Sequence, residues 1–209
     1  MTVALGRAAD VSRETLDDLR AFEALVAKWT PKINLVSKSS VSELWDRHIL
    51  DSLQIWPLVQ QAARVVDLGS GGGFPGIVTA IAACHHAPDA QFTLIESDMR
   101  KSVFLQTAIR ELSLNAQVIT NRIEAAPPQD APVITARALA SCEALFAYAA
   151  PHLAENGRLV LLKGENVASE LEAAREKWQF SVTRHASITQ SKAVILEIEG
   201  LCSVRPTSS

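Results

Sequence analysis

Short apolar runs alternate with amphipathic stretches along most of the chain after residue 60. Stretches with helical spacing, such as SVFLQTAIREL (102–112) and ENVASELEAAREKW (165–178), lie between several of the apolar runs. Strands that alternate with helices predict crossover connections and a parallel sheet covered on both faces. The runs of strand length, rich in β-branched residues, are RVVDL (64–68), QFTLIE (91–96), AQVIT (116–120), PVITA (132–136) and RLVLLK (158–163).

The two ends of the chain depart from this alternation. Apolar positions near the N-terminus recur at three- and four-residue spacing, which predicts a helix that begins after Ser12 and ends at Pro31, and a second helix over 41–59. Near the C-terminus, QFSVTRHASI (179–188) and KAVILEIEG (192–200) have no helix between them and predict a hairpin.

We therefore expect an α/β protein with a Rossmann-like, doubly wound architecture. Its sheet should be mostly parallel and seven-stranded, with an antiparallel last strand. Residues 1–60 are expected to form an N-terminal helical extension, and residues 61–205 the main domain, the two packed as a single domain.

Composition and charge restrict the classes of protein. With 209 residues, 48% of them hydrophobic, the chain can bury one full core. Because the 23 Asp and Glu residues outnumber the 20 Lys and Arg residues, any contact with nucleic acid must come from a local basic patch. The 3 cysteines include no CxxC pair, so neither a disulfide framework nor a metal site is indicated. No signal or transmembrane pattern occurs, and we expect a cytoplasmic monomer without a membrane partner.

The clearest chemical signal is the glycine-rich turn after the first predicted strand, DLGSGGGFPGI (67–77). Glycines there permit left-handed backbone and the close approach of a ligand, at the sheet edge where such folds bind ligands. Residues 71–76 also fit the GxGxxG pattern of dinucleotide-binding proteins. Asp67 argues against a diphosphate, because a carboxylate at that place suits the ammonium and sulfonium of S-adenosylmethionine instead. The alternative role of Asp67 is to cap the turn.

Glu96 supports a nucleoside ligand. It ends the second predicted strand, where an acid typically accepts hydrogen bonds from ribose hydroxyls. A charge-assisted bond of this kind contributes about 1.5–3 kcal/mol. The alternative is a surface ion pair between Glu96 and Arg100 or Lys101.

With these residues the chain resembles the Rossmann-like S-adenosylmethionine methyltransferases. More narrowly, it resembles the bacterial small-subunit (16S) ribosomal RNA guanine-N7 methyltransferases, also called glucose-inhibited division protein B. The motifs that carry this resemblance span most of the chain: NL (34–35), RHILDSL (47–53), GFPG (73–76), RIE (122–124), RA (137–138) and KG (163–164).

The resemblance implies roles for the matching positions. Gly69 and Phe74 would line the methionyl side of the cofactor, Glu96 would bind its ribose, and the 123–124 segment would contact its adenine. The positions implied for cofactor binding are Asp67, Gly69, Gly71, Gly73, Phe74, Glu96, Ile123, Glu124 and Arg137.

Arg137 and Lys163 are the implied catalytic residues, both at strand ends that face the target base. A guanidinium can bond bidentately to guanine O6 or to a phosphate. The alternative for Arg137 is an internal salt bridge that organises the cofactor site. The alternative for His48 is a hydrogen bond to Asp51 or to a backbone carbonyl.

The residue chemistry is compatible with guanine N7 as the target. This nitrogen offers its lone pair without prior deprotonation. Catalysis can therefore consist mostly of holding N7 and the methyl carbon in line, which can lower the barrier by up to about 7–11 kcal/mol. Attack through cytosine C5 would need a nucleophilic cysteine, usually after proline, and none of the cysteines follows one. The predicted partner is 16S ribosomal RNA, held by a patch of Arg47, His48, Arg100, Lys101 and Lys163.

Three other functions stay open on the sequence alone. The first is methyl transfer to another RNA or to a small molecule on the same fold. The second is an NAD-dependent oxidoreductase, because of the GxGxxG match. The third is a non-catalytic RNA-binding assembly factor.

Overall fold

The computed structural model describes residues 2–4 and 11–204, which form one mixed sheet flanked by helices. The strands are β1 (Thr2–Ala4), β2 (Arg64–Leu68), β3 (Gln91–Glu96), β4 (Ala116–Thr120), β5 (Ala131–Arg137), β6 (Leu153–Lys163), β7 (Trp178–Ala186) and β8 (Val194–Ser203). The α-helices are α1 (Arg13–Ile33), α2 (Asp51–Leu53), α3 (Trp56–Val59), α4 (Gly76–His86), α5 (Met99–Glu111), α6 (Cys142–Ala149) and α7 (Val167–Arg175). Shorter turns of 3₁₀ helix lie at Lys38–Glu43, Ile123–Ala125 and Ala150–His152, and a π-helical turn lies at Trp45–Leu50.

The sheet confirms the predicted architecture. Its order is β1-β7-β8-β6-β5-β2-β3-β4, in which β2 to β6 pair in parallel and β8 runs antiparallel to both β6 and β7. The seven predicted strands are all present, and three of them, β2, β3 and β4, coincide with the predicted runs residue for residue. The unpredicted β1 adds to the edge, parallel to β7; a strand of three residues is too short to show a periodicity.

The strand order fixes where a ligand can bind. Chain order reverses between β2 and its neighbour β5, so a crevice opens beyond the carboxyl ends of these central strands. The segments that follow β2, β3, β5 and β6 all begin at this edge. The glycine turn, Glu96, Arg137 and Lys163 are therefore brought to one end of the sheet.

The N-terminal helices differ from their predicted bounds. Ser12 caps α1 as predicted, accepting a hydrogen bond from the amide of Thr15, but the helix passes through Pro31 and ends at Asn34, whose φ is 51°. A proline in the last turn removes only one intrahelical bond, so the prediction that Pro31 ends the helix is wrong. The expected helix over 41–59 is instead a series of short turns, of which the last, α3, begins beside Pro57.

The helical segment packs directly on the sheet domain. The ring of Phe22 on α1 lies 5.5 Å from that of Phe74 in the glycine turn and 6.3 Å from that of Phe104 on α5. Leu53 and Ile77 are fully buried in the same apolar cluster. This packing holds the segment around residues 37–54 beside the crevice.

Candidate active site

Two cavities lie side by side at the carboxyl ends of the parallel strands. The small cavity, of about 290 Å³, lies between the glycine turn, the end of β3 and the segment 121–124. The large cavity, of about 700 Å³, lies between the N-terminal helical segment, the ends of β5 and β6, and the loop from β7 to β8. Ala138 and Leu139 line both cavities, so they form a shared wall.

The glycine turn contributes bare backbone to the small cavity. Gly69 (φ 64°) and Gly71 (φ 55°) line it, and a Cβ on Gly69 would lie only 2.6 Å from Leu139 Cδ1. A side chain at Gly69 is therefore disfavoured by both backbone strain and space. Gly73 and Phe74 do not line the cavity: a Cβ on Gly73 would lie 2.7 Å from Ile77 Cγ1.

Phe74 is placed differently from the role that the resemblance implied. Its ring is 5% exposed, and it packs between Phe22, at 5.5 Å, and His48, at 5.1 Å. The aromatic neighbours from the N-terminal segment draw the ring into the core, away from the small cavity. Phe74 therefore packs against the glycine turn from the core side, opposite the small cavity, and supports it there.

Asp67 also lies beneath the turn. Its side chain is 2% exposed, and Oδ1 accepts a hydrogen bond of 2.7 Å from the Thr135 hydroxyl. A Cβ on Gly76 would lie 2.7 Å from Oδ2, which places this oxygen at the beginning of α4. The predicted direct contact of Asp67 with a cationic cofactor is not supported, because the carboxylate lines neither cavity.

Burial raises the pKa of Asp67 to about 6, and the hydrogen bond from Thr135 offsets this only in part. Since the folded pKa exceeds the unfolded value, protonated Asp67 favours the folded state below about pH 4, and this contribution is lost as the pH rises through about 6. The loss amounts to about 3 kcal/mol. We expect urea unfolding between pH 4 and pH 8 to show this decline in the parent and not in Asp67→Asn. Equal slopes in the two proteins would contradict the shift.

Glu96 spans the glycine turn from the end of β3. Its carboxylate is 7% exposed and accepts hydrogen bonds from the backbone amides of Gly71, at 2.8 Å, and Asp98, at 2.7 Å. Each carboxylate oxygen has a second lone pair, so Glu96 can also accept from a ligand hydroxyl in the small cavity. The alternative ion pair is not formed with Arg100, which pairs with Asp98 at 3.5 Å.

The far wall of the small cavity contains Ile123 and Glu124, the two residues that the resemblance assigned to the adenine. Ile123 is 8% exposed, and its carbonyl oxygen lies 3.0 Å from His152 Nε2. Tyr148 on α6 also lines this cavity and was not identified from the sequence, because no motif includes it.

Arg137 lies at the wall of the large cavity, within a network of polar contacts. Nη1 donates to Asp51 Oδ2 and to the Arg47 carbonyl, both at 3.1 Å, while Nη2 lies 2.6 Å from His48 Nδ1. The guanidinium carbon lies 5.0 Å from the centre of the Phe74 ring. The internal salt bridge considered for Arg137 is therefore present, at a side-chain exposure of 15%.

Asp51 lies at the centre of this network and was not among the site residues predicted from the sequence. Its Oδ1 accepts hydrogen bonds from the Thr189 hydroxyl, at 2.7 Å, and from Gln54 Nε2, at 2.8 Å. Gln54 Oε1 in turn accepts from the backbone amide of Ile188. Asp51 thus joins the N-terminal segment, β5 and the loop after β7 around one cavity. The available signal was its place in the RHILDSL motif, which also contains Arg47 and His48.

His48 bonds to Arg137, and not to Asp51 or a carbonyl as the sequence suggested. Burial, followed by the charges of Arg137 and Arg47, lowers the pKa of His48 to about 4.

We expect histidine NMR titration to show one imidazole that stays neutral down to about pH 4 in the parent. In Arg137→Met the same resonance should titrate at a higher pH. An unchanged midpoint would contradict the contact.

The predicted RNA patch is only partly assembled. Arg47, His48 and Lys163 line the large cavity, and Lys101 lines the small one. Arg100 lines neither cavity, because the cap of α5 pairs it with Asp98.

Lys163 also differs from its predicted role in the RNA patch. Its side chain is 8% exposed, with Nζ 2.5 Å from Glu170 Oε2 and 2.8 Å from the Ala140 carbonyl oxygen. The carboxylate of Glu170 neutralises the ammonium, so Lys163 does not present a free charge. Arg47 remains about half exposed, paired with Glu43 at 3.2 Å.

The fold of the chain is similar to that of known methyltransferases. The fold is similar to that of the O-methyltransferase TomG from Streptomyces achromogenes, at TM-score 0.56 and 12% identity over 91% of this chain and 92% of that one. A methyltransferase from Geobacter sulfurreducens gives TM-score 0.56 and 11% identity, covering 91% and 98% of the two chains. At these identities the likeness shows the fold.

The particular family follows from sequence comparison. The family model of GidB, rRNA small subunit methyltransferase G, matches residues 15–198, and the chain belongs to this family. A ribosomal RNA small subunit methyltransferase G from Acidiphilium cryptum is 55% identical over 209 residues, covering 93% of this chain and 94% of the relative. One from Cereibacter sphaeroides is 50% identical over 196 residues, covering 93% and 95%.

Within residues 2–4 and 11–204, no helix combines the length and apolar character that a membrane crossing requires.

Proposed function

We propose that the protein transfers the methyl group of S-adenosylmethionine to N7 of one guanosine in 16S ribosomal RNA. The observation that carries this proposal is the pair of cavities with a shared wall at Ala138 and Leu139. One cavity has the residue types that suit a nucleoside cofactor, and the other has room for a nucleobase and polar side chains that could bind it. Membership of the family supports the class of substrate.

The small cavity fits the cofactor by its chemistry. Glu96 would accept hydrogen bonds from the ribose hydroxyls, the bare backbone at Gly69 and Gly71 would lie against the methionyl side, and Ile123 would contact the adenine. When bound, S-adenosylmethionine supplies an electrophilic methyl group on a sulfonium. The carboxylate edge at Glu96 argues against a cofactor with a 2′-phosphate.

The large cavity would hold the guanine, with Arg137 at its wall. Asp51, His48 and the Arg47 carbonyl hold the guanidinium in place, so it is preorganised before the base enters. N7 needs no general base, and these residues act by positioning the base and excluding water. We further propose that the protein is a monomer and that it is located in the cytoplasm, where its ribosomal substrate occurs. Residues 1–60 would form an extension of a catalytic domain over 61–205.

Deletion of the gene tests the substrate. We expect loss of one 7-methylguanosine from 16S ribosomal RNA, read by chemical cleavage at the modified base, and its return when the gene is restored. Unchanged cleavage at every guanosine would refute the assignment. Methylation assays on naked RNA, on assembly intermediates and on finished subunits then separate an enzyme from a non-catalytic RNA-binding protein, which would bind RNA without turnover on all three.

A calorimetric titration tests the cofactor. S-adenosylhomocysteine should bind the purified protein and NADH should not. The reverse result would favour the oxidoreductase that the GxGxxG pattern leaves open.

A further inference from the structure

The segment 138–141, which connects β5 to α6, forms the partition between the two cavities. Ala138 and Leu139 line both of them, and Ala138 has a left-handed backbone with φ of 50°. The side chain of Leu139 lies directly over Gly69 of the glycine turn. We call this segment the partition. Its position therefore determines how the two cavities lie relative to each other.

One ion pair holds the partition. Lys163 Nζ donates to the Ala140 carbonyl at 2.8 Å, and Glu170 Oε2 accepts from the Cys142 amide at 2.9 Å. The two side chains meet at 2.5 Å, with exposures of 8% and 25%. The two successive peptide groups on either side of Ser141 are thus tied to the end of β6 and to α7 through a single ion pair.

We propose that Glu170 is a positioning residue for methyl transfer, acting through Lys163 and the Cys142 amide to hold the partition where the methyl donor and the target base face each other. This inference rests on the proposed function. It also changes the role of Lys163 from a contact with RNA to a support of the partition. A displacement of about 1 Å at such a place can lower a rate about a hundredfold.

The two roles of Lys163 predict opposite effects of removing Glu170. If Lys163 binds an RNA phosphate, loss of the neighbouring carboxylate frees the ammonium and strengthens RNA binding. If the pair supports the partition, loss of either partner releases the same loop, and the two losses are not additive. Comparison of the single and double variants therefore separates the two roles.

The test uses the full-length protein with S-adenosylmethionine and the RNA or particle that the parent methylates. We expect Glu170→Ala, Lys163→Met and the double variant each to lower kcat about tenfold to hundredfold, with the KM for RNA within about threefold of the parent. Glu170→Gln keeps an acceptor for the Cys142 amide and should retain intermediate activity. Glu172→Ala, on an exposed position of the same helix, is the matched control and should behave as the parent.

Two results would overturn the positioning role in an active parent. One is an unchanged kcat in both Glu170 variants, and the other is a lower KM for RNA in Glu170→Ala beside a higher one in Lys163→Met. Should Glu170→Ala fail to fold, Glu170→Gln with Lys163→Met gives the same comparison. A parent that methylates no guanosine would instead refute the proposed function.

Discussion

Glu96→Ala is expected to weaken binding of S-adenosylhomocysteine roughly a hundredfold to a thousandfold in isothermal calorimetry. The substitution removes the acceptor for both ribose hydroxyls, and each bond to a charged group contributes about 1.5–3 kcal/mol. It also releases the amides of Gly71 and Asp98, which Glu96 holds at 2.8 and 2.7 Å, so the turn itself loses its support.

Glu111→Ala serves as the control for this prediction. Glu111 is an exposed acid at the end of α5, far along the helix from the small cavity. Its replacement changes the net charge equally and should leave the affinity within about twofold. An affinity of Glu96→Ala equal to that of the control would remove the nucleoside role from this carboxylate.

Arg137→Lys is expected to lower single-turnover methylation of the RNA about a hundredfold or more while the protein stays folded. An ammonium keeps the charge beside Asp51, but it is a compact point charge that cannot reproduce the planar fork of a guanidinium. The side chain of Arg137 contacts Asp51, the Arg47 carbonyl and His48 together, and a lysine would lose at least one of these. Arg137→Ala would in addition leave Asp51 as a buried, unpaired carboxylate, at a cost of about 3–5 kcal/mol of folding free energy.

Arg110→Lys, on the exposed face of α5, is the matched control for Arg137→Lys, because it exchanges the same two residue types. It should methylate at the parent rate. If Arg137→Lys does so too, the geometry of the guanidinium has no part in the reaction.

Much of the fold and part of the site could be predicted from the pattern of residues. The strands β2 and β3 were located residue for residue because strands in the interior of a parallel sheet are mostly buried and therefore mostly apolar. The edge strand β4 is partly exposed and was located from its short run of β-branched residues. The glycine turn was found because it follows a strand immediately, and Glu96 was found because it ends one. The class of cofactor and the family also followed, since their motifs are short and local.

What only the tertiary structure decided is which charges meet. Arg137 pairs with Asp51, Thr189 bonds to the same carboxylate, and Lys163 is neutralised by Glu170, all through contacts between segments that folding brings together. The placement of Phe74 and Asp67 beneath the turn, away from the cavity, depends likewise on how α1 and α4 pack. Periodicity records the local environment of a residue, whereas an ion pair depends on distances of a few ångströms between remote segments, and these distances exist only in the folded chain.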